Sequence, residues 1–198
     1  MNDDTLPRDG RKLLRRDERR TQLVRAATVA FARTGFAATS LDDIAKQAGV
    51  TKVLIYRHFA SKAELYLAAL TDVRDWVRSA VGGPDGYGSD TVRAFVQAAS
   101  EDSDGFRLLF RYAAREEEFS AYADDLFGDA TRIATGYLQD KVEPAVRRRW
   151  LAELLPKITI EIILSWLDAD RPAKVDELSQ TIRAALAALI QAQQHREA

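Results

Sequence analysis

The 198-residue chain contains no cysteine. That excludes a disulfide framework, a thiolate metal site and a thiol nucleophile. Histidine is almost as scarce: His58 and His195 stand far apart in the sequence, and no carboxylate spacing joins them into a metal site. No apolar run reaches the ~18 residues of a membrane span. The opening MNDDTLPRDGRK lacks the apolar core of a secretory signal. Period-two alternation, the mark of a half-buried strand, is missing throughout. The glycine-rich run GGPDGYG at 82–88 has neither the lysine nor the preceding strand of a phosphate-binding loop. No Ser/His/Asp grouping stands out. What remains is an all-α protein, expected in the cytoplasm, with no catalytic residue, no metal, no cofactor and no membrane partner.

What the chain does have is ordinary bulk composition, 46% hydrophobic and 30% charged, enough for one large or two small domains. Its charge is unevenly distributed. Residues 1–62 hold 13 basic and 7 acidic residues, and residues 63–198 hold 16 basic and 23 acidic. A basic third on an acidic remainder suits a module that meets phosphate while the rest avoids it. Seven of the cations crowd into residues 8–20. Residues 1–16 read as a disordered arm able to reach a minor groove, or as a solvated tail.

The stretch 39–64, TSLDDIAKQAGVTKVLIYRHFASKAE, organises the rest. Ser40 and Asp43 have the spacing of a capping box. Leu41, Ile44, Ala45 and Ala48 then share one helical face. Gly49 supplies the residue that can turn left-handed where that helix must stop. Thr51 is placed to cap a second helix reaching to Phe59, with Ile55 and Phe59 inward and Lys52, Val53, Tyr56 and Arg57 outward. Ser61 and Glu64 form another Ser-x-x-Glu box opening a further helix. Upstream, Leu23, Ala27, Ala30, Phe31 and Thr34 trace the buried stripe of a helix over 17–34 that Gly35 ends. This is helix-turn-helix grammar, which sets its second helix into a DNA major groove.

Three strings sharpen it: Ala30-Phe31-x-x-x-Gly35-Phe36-x-x-Thr39-Ser40-Leu41-x-x-Ile44-Ala45, then Gly49-Val50-Thr51, then Tyr56-x-His58-Phe59-x-Ser61-Lys62-x-Glu64-Leu65. Over about residues 18–66 the chain closely resembles the DNA-binding domain of TetR-type transcriptional regulators. The resemblance implies phosphate contacts from Thr39, Tyr56, His58 and Lys62. Ser40 belongs with that set as the cap beside it. Lys52 and Arg57 then become the base readers, with Thr51 and Val53 offering methyls to thymine. Val53 and Leu54 depart from the family pattern, which often has Gly and a small hydroxyl residue there.

The remainder reads as helices throughout. One runs from Ser61 to about Val81 with two apolar sides, so it must pack in two directions. The loop 82–89 follows. Asp104 is placed to cap a helix bearing Phe106, Phe110 and Ala113, and Glu116–Glu118 read as a solvated turn. A helix over 119–142 comes next, and then a very apolar one opened by Pro144, which Pro156 should kink or split. An Ala-rich last helix closes the chain, making about nine in all. Aromatics on several helices suggest a pocket for a small hydrophobic or aromatic effector: Trp76, Phe95, Phe106, Phe110, Tyr122 and Tyr137, with Arg111 to orient an acid.

The resembled family dimerises through its last two helices, which points to Leu155, Ile162, Trp166, Ile182, Leu186 and Leu189 as the homodimer seam. The expected division is a DNA-binding unit over 17–62 and an effector-binding and dimerisation unit over 63–198. The implied function is a ligand-released repressor on a palindromic DNA operator. The rival is an all-α carrier or enzyme whose basic N-terminus is incidental.

Overall fold

A computed structural model describes residues 15–82 and 90–194. The basic residues before Arg15 and nearly all of the 82–89 loop lie outside the described residues. Within them the chain is helical, with no strand.

Helix α1 (Arg16–Ala38) opens with Glu18 accepting the Arg15 main-chain N–H at 2.9 Å. It buries Leu23, Ala27, Ala30 and Phe31. Its regular part ends at Gly35, whose φ of 77° and ψ of 178° are not helical. The conformation matters because the site is crowded as well as left-handed. A Cβ at Gly35 would lie 2.8 Å from Tyr112 Cδ1, so only glycine fits.

Helix α2 (Leu41–Ala48) carries the expected reciprocal cap. Ser40 Oγ accepts the Asp43 N–H, and the Asp43 carboxylate accepts the Ser40 N–H at 2.9 Å. Gly49 ends it at φ 65°. Helix α3 (Lys52–Tyr56) is shorter than the expected reach to Phe59. Arg57, His58 and Phe59 close the helix with turn-type bonds. Thr51 precedes it without a side-chain cap.

Helix α4 (Lys62–Ala80) is capped by Ser61 Oγ on the Glu64 N–H. The Glu64 carboxylate reaches one residue further back than a capping box requires, to the Ala60 N–H at 2.6 Å. Leu65, Tyr66, Ala69, Leu70, Val73 and Val77 are buried, so α4 packs along most of its length.

Helix α5 (Thr91–Glu101) leads into the short α6 (Ser103–Arg107). Its cap is Asp102, which accepts the Gly105 N–H at 2.8 Å, and not Asp104. The chain then widens into a π turn over Leu108–Tyr112 and tightens into a 3-10 turn over Ala113–Arg115. Helix α7 (Ala121–Leu138) runs unbroken through Gly128 and Gly136. Helix α8 (Ala145–Asp168) follows Pro144 and continues through Pro156 without splitting. Losing one main-chain donor there is offset by buried neighbours on both sides, Leu151, Ala152, Leu155 and Ile160. A turn with Asp170 and Arg171 both at φ 57° leads to α9 (Val175–Gln194).

One large apolar cluster runs from α1–α4 into α5–α9. A smaller one joins Leu138, Val142, Leu151, Ala152 and Leu155. Among the described residues no helix is long and apolar enough to cross a membrane.

Candidate nucleic-acid interface

Burial sorts the expected DNA contacts into two groups. Thr51, Lys52, Val53, Tyr56 and Arg57 are exposed on and around α3, and Ser40 is exposed at the start of α2. Val53 and Tyr56 are large residues left 63% and 53% exposed on that face. Ile55 and Phe59 are buried beneath them, so α3 is held from behind while its outer side stays free. The Arg20 guanidinium covers the Phe59 ring at 4.8 Å. His58 is half-buried.

Thr39 and Lys62 face inward instead. Thr39 is buried, and its hydroxyl donates to the Gly35 carbonyl at 2.7 Å. Lys62 Nζ donates to the carbonyls of Phe36 at 2.7 Å and Thr39 at 3.0 Å, and it lies 4.4 Å from the centre of the Phe36 ring. Both side chains therefore brace the α1–α2 turn. The two carbonyl bonds use two of the three donors of the Lys62 ammonium.

Lys52 has a partner that spacing alone did not suggest. Its ammonium lies 2.9 Å from the Asp42 carboxylate. The hydrogen bond to Asp42, followed by the charge itself, raises the lysine above its ordinary pKa.

Glu116, expected in a solvated turn, is a half-buried junction. One carboxylate oxygen accepts the Phe36 N–H at 3.2 Å and the other accepts the Tyr66 hydroxyl at 2.6 Å. Nearby, the Tyr112 hydroxyl donates to the Arg33 carbonyl at 2.9 Å. Phe31, Phe36, Tyr66 and Phe119 form a ring cluster with centroids 4.7–6.2 Å apart. Helix α1 and the turn before α2 are thereby fastened to the segment after the π turn. A lone glutamate in a run of three carries no sequence signal of this role.

A cavity of about 520 Å³ lies among the far helices. Val77 of α4 and Val81 just past its end close one side, with Val92 and Phe95 from α5 and Phe110 from the π turn. Leu126, Phe127, Ala130, Ile133, Ala134 and Tyr137 line it from α7. Leu155, Pro156, Thr159 and Ile160 come from α8, and Leu186 from α9. Thr91, Thr159 and Tyr137 supply the hydroxyls, and among the described residues none that lines it is charged.

Of the expected pocket residues, Phe95, Phe110 and Tyr137 are on this wall. Phe106 is fully buried between Phe95 and Phe110 as core. Trp76 is half-buried off the wall, and Tyr122 packs under Arg74. Arg111 is also elsewhere: with Arg107 it grips Asp168 at the end of α8. That pairing, led by the Arg111 hydrogen bond, holds Asp168 below the usual carboxylate range.

The expected seam residues divide in the same way. Ile182, Leu155 and Trp166 are buried within the chain, and Trp166 Nε1 donates to the Ala173 carbonyl at 2.9 Å. Leu186 lines the cavity, and Leu189 packs on the smaller core cluster. All five touch the core or the cavity of the chain itself, with Leu186 and Leu189 only half-buried. Ile162 faces outward, in a shallow dish with Lys157, Ile158, Glu161 and Ser165. On the N-terminal side of it along α8, Val146 and Trp150 are exposed and Leu154 is half-buried. Ala184, Ala187 and Ala188 are exposed on α9.

The model of the bacterial regulatory proteins of the tetR family matches residues 23–69, the α1–α4 portion of the surface just described. The HTH-type transcriptional activator FasR of Mycolicibacterium smegmatis is 35% identical over 173 residues, covering 82% of this chain and 78% of that protein. The HTH-type transcriptional regulator TtgR of Pseudomonas putida is 48% identical over 58 residues, 29% of this chain and 28% of its own. A TetR-like transcriptional regulator from Rhodococcus sp. RHA1 superposes with a TM-score of 0.73 at 19% identity, covering 90% of this chain and 98% of that one. Each of these is described as a transcriptional regulator or activator, and the likeness to FasR extends well beyond the α1–α4 portion. The chain therefore belongs to the tetR family of bacterial regulatory proteins and is a DNA-binding transcriptional regulator.

Proposed function

We propose that the chain acts in the cytoplasm as a homodimer on a palindromic operator, as a repressor released by a small apolar effector. In this reading residues 17–62 form the DNA-binding unit and residues 63–198 the effector and dimer unit. Lys52 and Arg57 read bases, Val53 and Thr51 meet thymine methyls, and Tyr56, Ser40 and His58 meet the backbone.

One observation carries the reading. The cavity is bounded at once by the far end of α4 and by α8 and α9. An occupant would thus press on the helix that leads to the DNA-binding unit and on the helices that would pair in a dimer. The pairing surface we assign is the outer side of α8, with Val146, Trp150, Ile158 and Ile162, against the alanine side of α9. One module buries too little surface for tight operator binding, and a dimer places two recognition helices about one DNA turn apart, ~34–36 Å. The uncharged wall favours an effector whose buried part is apolar, since an unpaired charge there would be desolvated without compensation.

The effector acts by population shift, favouring a dimer whose α3 helices no longer match the operator spacing. Linkage makes the effect reciprocal: the effector binds free protein more tightly than operator-bound protein by the same factor by which it weakens DNA binding, typically about 5–150-fold. Calorimetric titration of an apolar compound with and without selected operator DNA tests this. Equal effector affinity in both states would remove the effector role. Tighter binding to the operator-bound state would reverse the sign, so that the effector fastens the chain to its operator instead of releasing it.

A further inference from the structure

The capping of α2 leaves one of its two adjacent aspartates without a structural duty. Asp43 accepts the Ser40 N–H and faces the Ser40 hydroxyl at 2.6 Å. Asp42 caps nothing. Its carboxylate, 70% exposed, instead reaches across the turn to Lys52, the first residue of α3. A carboxylate on the side of the molecule that meets DNA is unfavourable by itself, because it faces the phosphate track. Paired with Lys52 it forms a unit of zero net charge.

We propose that Asp42 is a positioning residue for base recognition, holding the Lys52 ammonium by one proton so that the other two face a guanine edge. The inference rests on the reading of α3 as the groove-entering helix. An ammonium has three donors and no acceptor. Asp42 takes one, and two remain for the O6 and N7 acceptors that guanine presents together in the major groove. Lysine otherwise swings freely on a four-carbon stem and binds phosphate as a point charge. Tethered to Asp42, it is withheld from the backbone, and moving it there would strand the carboxylate beside phosphate. The same pair therefore raises preference for guanine and lowers affinity for DNA in general. Val53 and Tyr56, exposed beside Lys52, add no competing charge.

The test compares wild type, Asp42→Asn and Lys52→Ala as full-length proteins. Each is used to select from a duplex pool with a randomised core, and each is titrated with random-sequence duplex over a range of salt. Asp42→Asn should reduce the guanine preference at one half-site position by about tenfold. It should also tighten binding to random duplex and steepen the salt slope by about one phosphate contact. Lys52→Ala should lose the same preference without steepening the slope. The double variant should show no further loss, since the two residues act as one unit.

Three outcomes overturn the proposal. If Asp42→Asn keeps the wild-type preference and slope while Lys52→Ala loses the preference, the inference fails and the reading of α3 stands. If Asp42→Asn weakens selected and random duplexes equally, the pair is only a staple between α2 and α3. If Lys52→Ala changes neither preference nor slope, Lys52 does not meet DNA and the underlying reading of α3 fails with the inference.

Discussion

Tyr66 on α4 donates its hydroxyl to the Glu116 carboxylate at 2.6 Å, across fifty residues of sequence and inside a ring cluster that admits little water. Burial, reinforced by that bond, pushes the phenol above its ordinary pKa, so it stays a donor at any working pH. A hydrogen bond to a charged acceptor contributes about 1.5–3 kcal/mol. Tyr66→Phe should therefore lower unfolding free energy by about 2 kcal/mol. Urea titration should show an earlier midpoint with unchanged slope.

Lys62 gives a sharper contrast. Because two of the three ammonium donors serve the Phe36 and Thr39 carbonyls, Lys62→Ala should cost about 1–3 kcal/mol of stability. It should leave the salt dependence of DNA binding unchanged. A lysine that meets phosphate would instead reduce that slope by about one on removal. Binding to random duplex at several salt concentrations distinguishes the two roles.

The assignment of the outer side of α8 and α9 as the pairing surface predicts different fates for similar substitutions. Ile158→Glu together with Ala184→Glu should yield folded monomers, visible as halved mass in sedimentation with helical circular dichroism retained. Ile182→Glu should unfold the chain outright, because Ile182 is fully buried and an unpaired buried charge costs roughly 3–5 kcal/mol.

Asp168 should contribute a pH-dependent share of stability. Its folded pKa lies below the ordinary value because Arg111, and then Arg107, favour the carboxylate. Such a group stabilises fully above its unfolded pKa of about 3.9 and loses that contribution as pH falls through the lower folded value. Asp168→Asn should thus be less stable than wild type at pH 7, and the two should converge in acid. Thermal melts from neutral to acid pH measure the convergence.

What was legible in the sequence was local. Ser40 and Asp43 are three residues apart, and Gly49 follows the helix it ends, so their roles depend only on near neighbours. The outward set Lys52, Val53, Tyr56 and Arg57 was readable for the same reason, through helical periodicity. Glu116 was not, because its partners Phe36 and Tyr66 lie 80 and 50 residues away and nothing in a run of glutamates announces them. The surroundings of Leu186 and Ile182 were not legible, because an apolar side chain reads alike whether it faces a core, a cavity or another subunit. Pro156 shows the same limit, since α8 continues through it unsplit. Proline's cost to a helix is intrinsic, but the packing that outweighed it on α8 is tertiary.

Gly35 carries a consequence for the modularity of this architecture. The residue sits where two parts of the chain touch, at φ 77° with Tyr112 Cδ1 2.8 Å from where a Cβ would stand, while Arg33 and Phe36 on either side are bonded to Tyr112 and Glu116. The two parts are therefore keyed to each other at a point where no side chain fits. A reading head grafted from another regulator would seat on this body only if it brought a glycine to that position. A donor with any larger residue there would have to push Tyr112 aside, and with it the segment that leads back through Phe110 to the cavity wall. Exchange of DNA specificity among such proteins is thus governed by one backbone contact as much as by the residues that read bases.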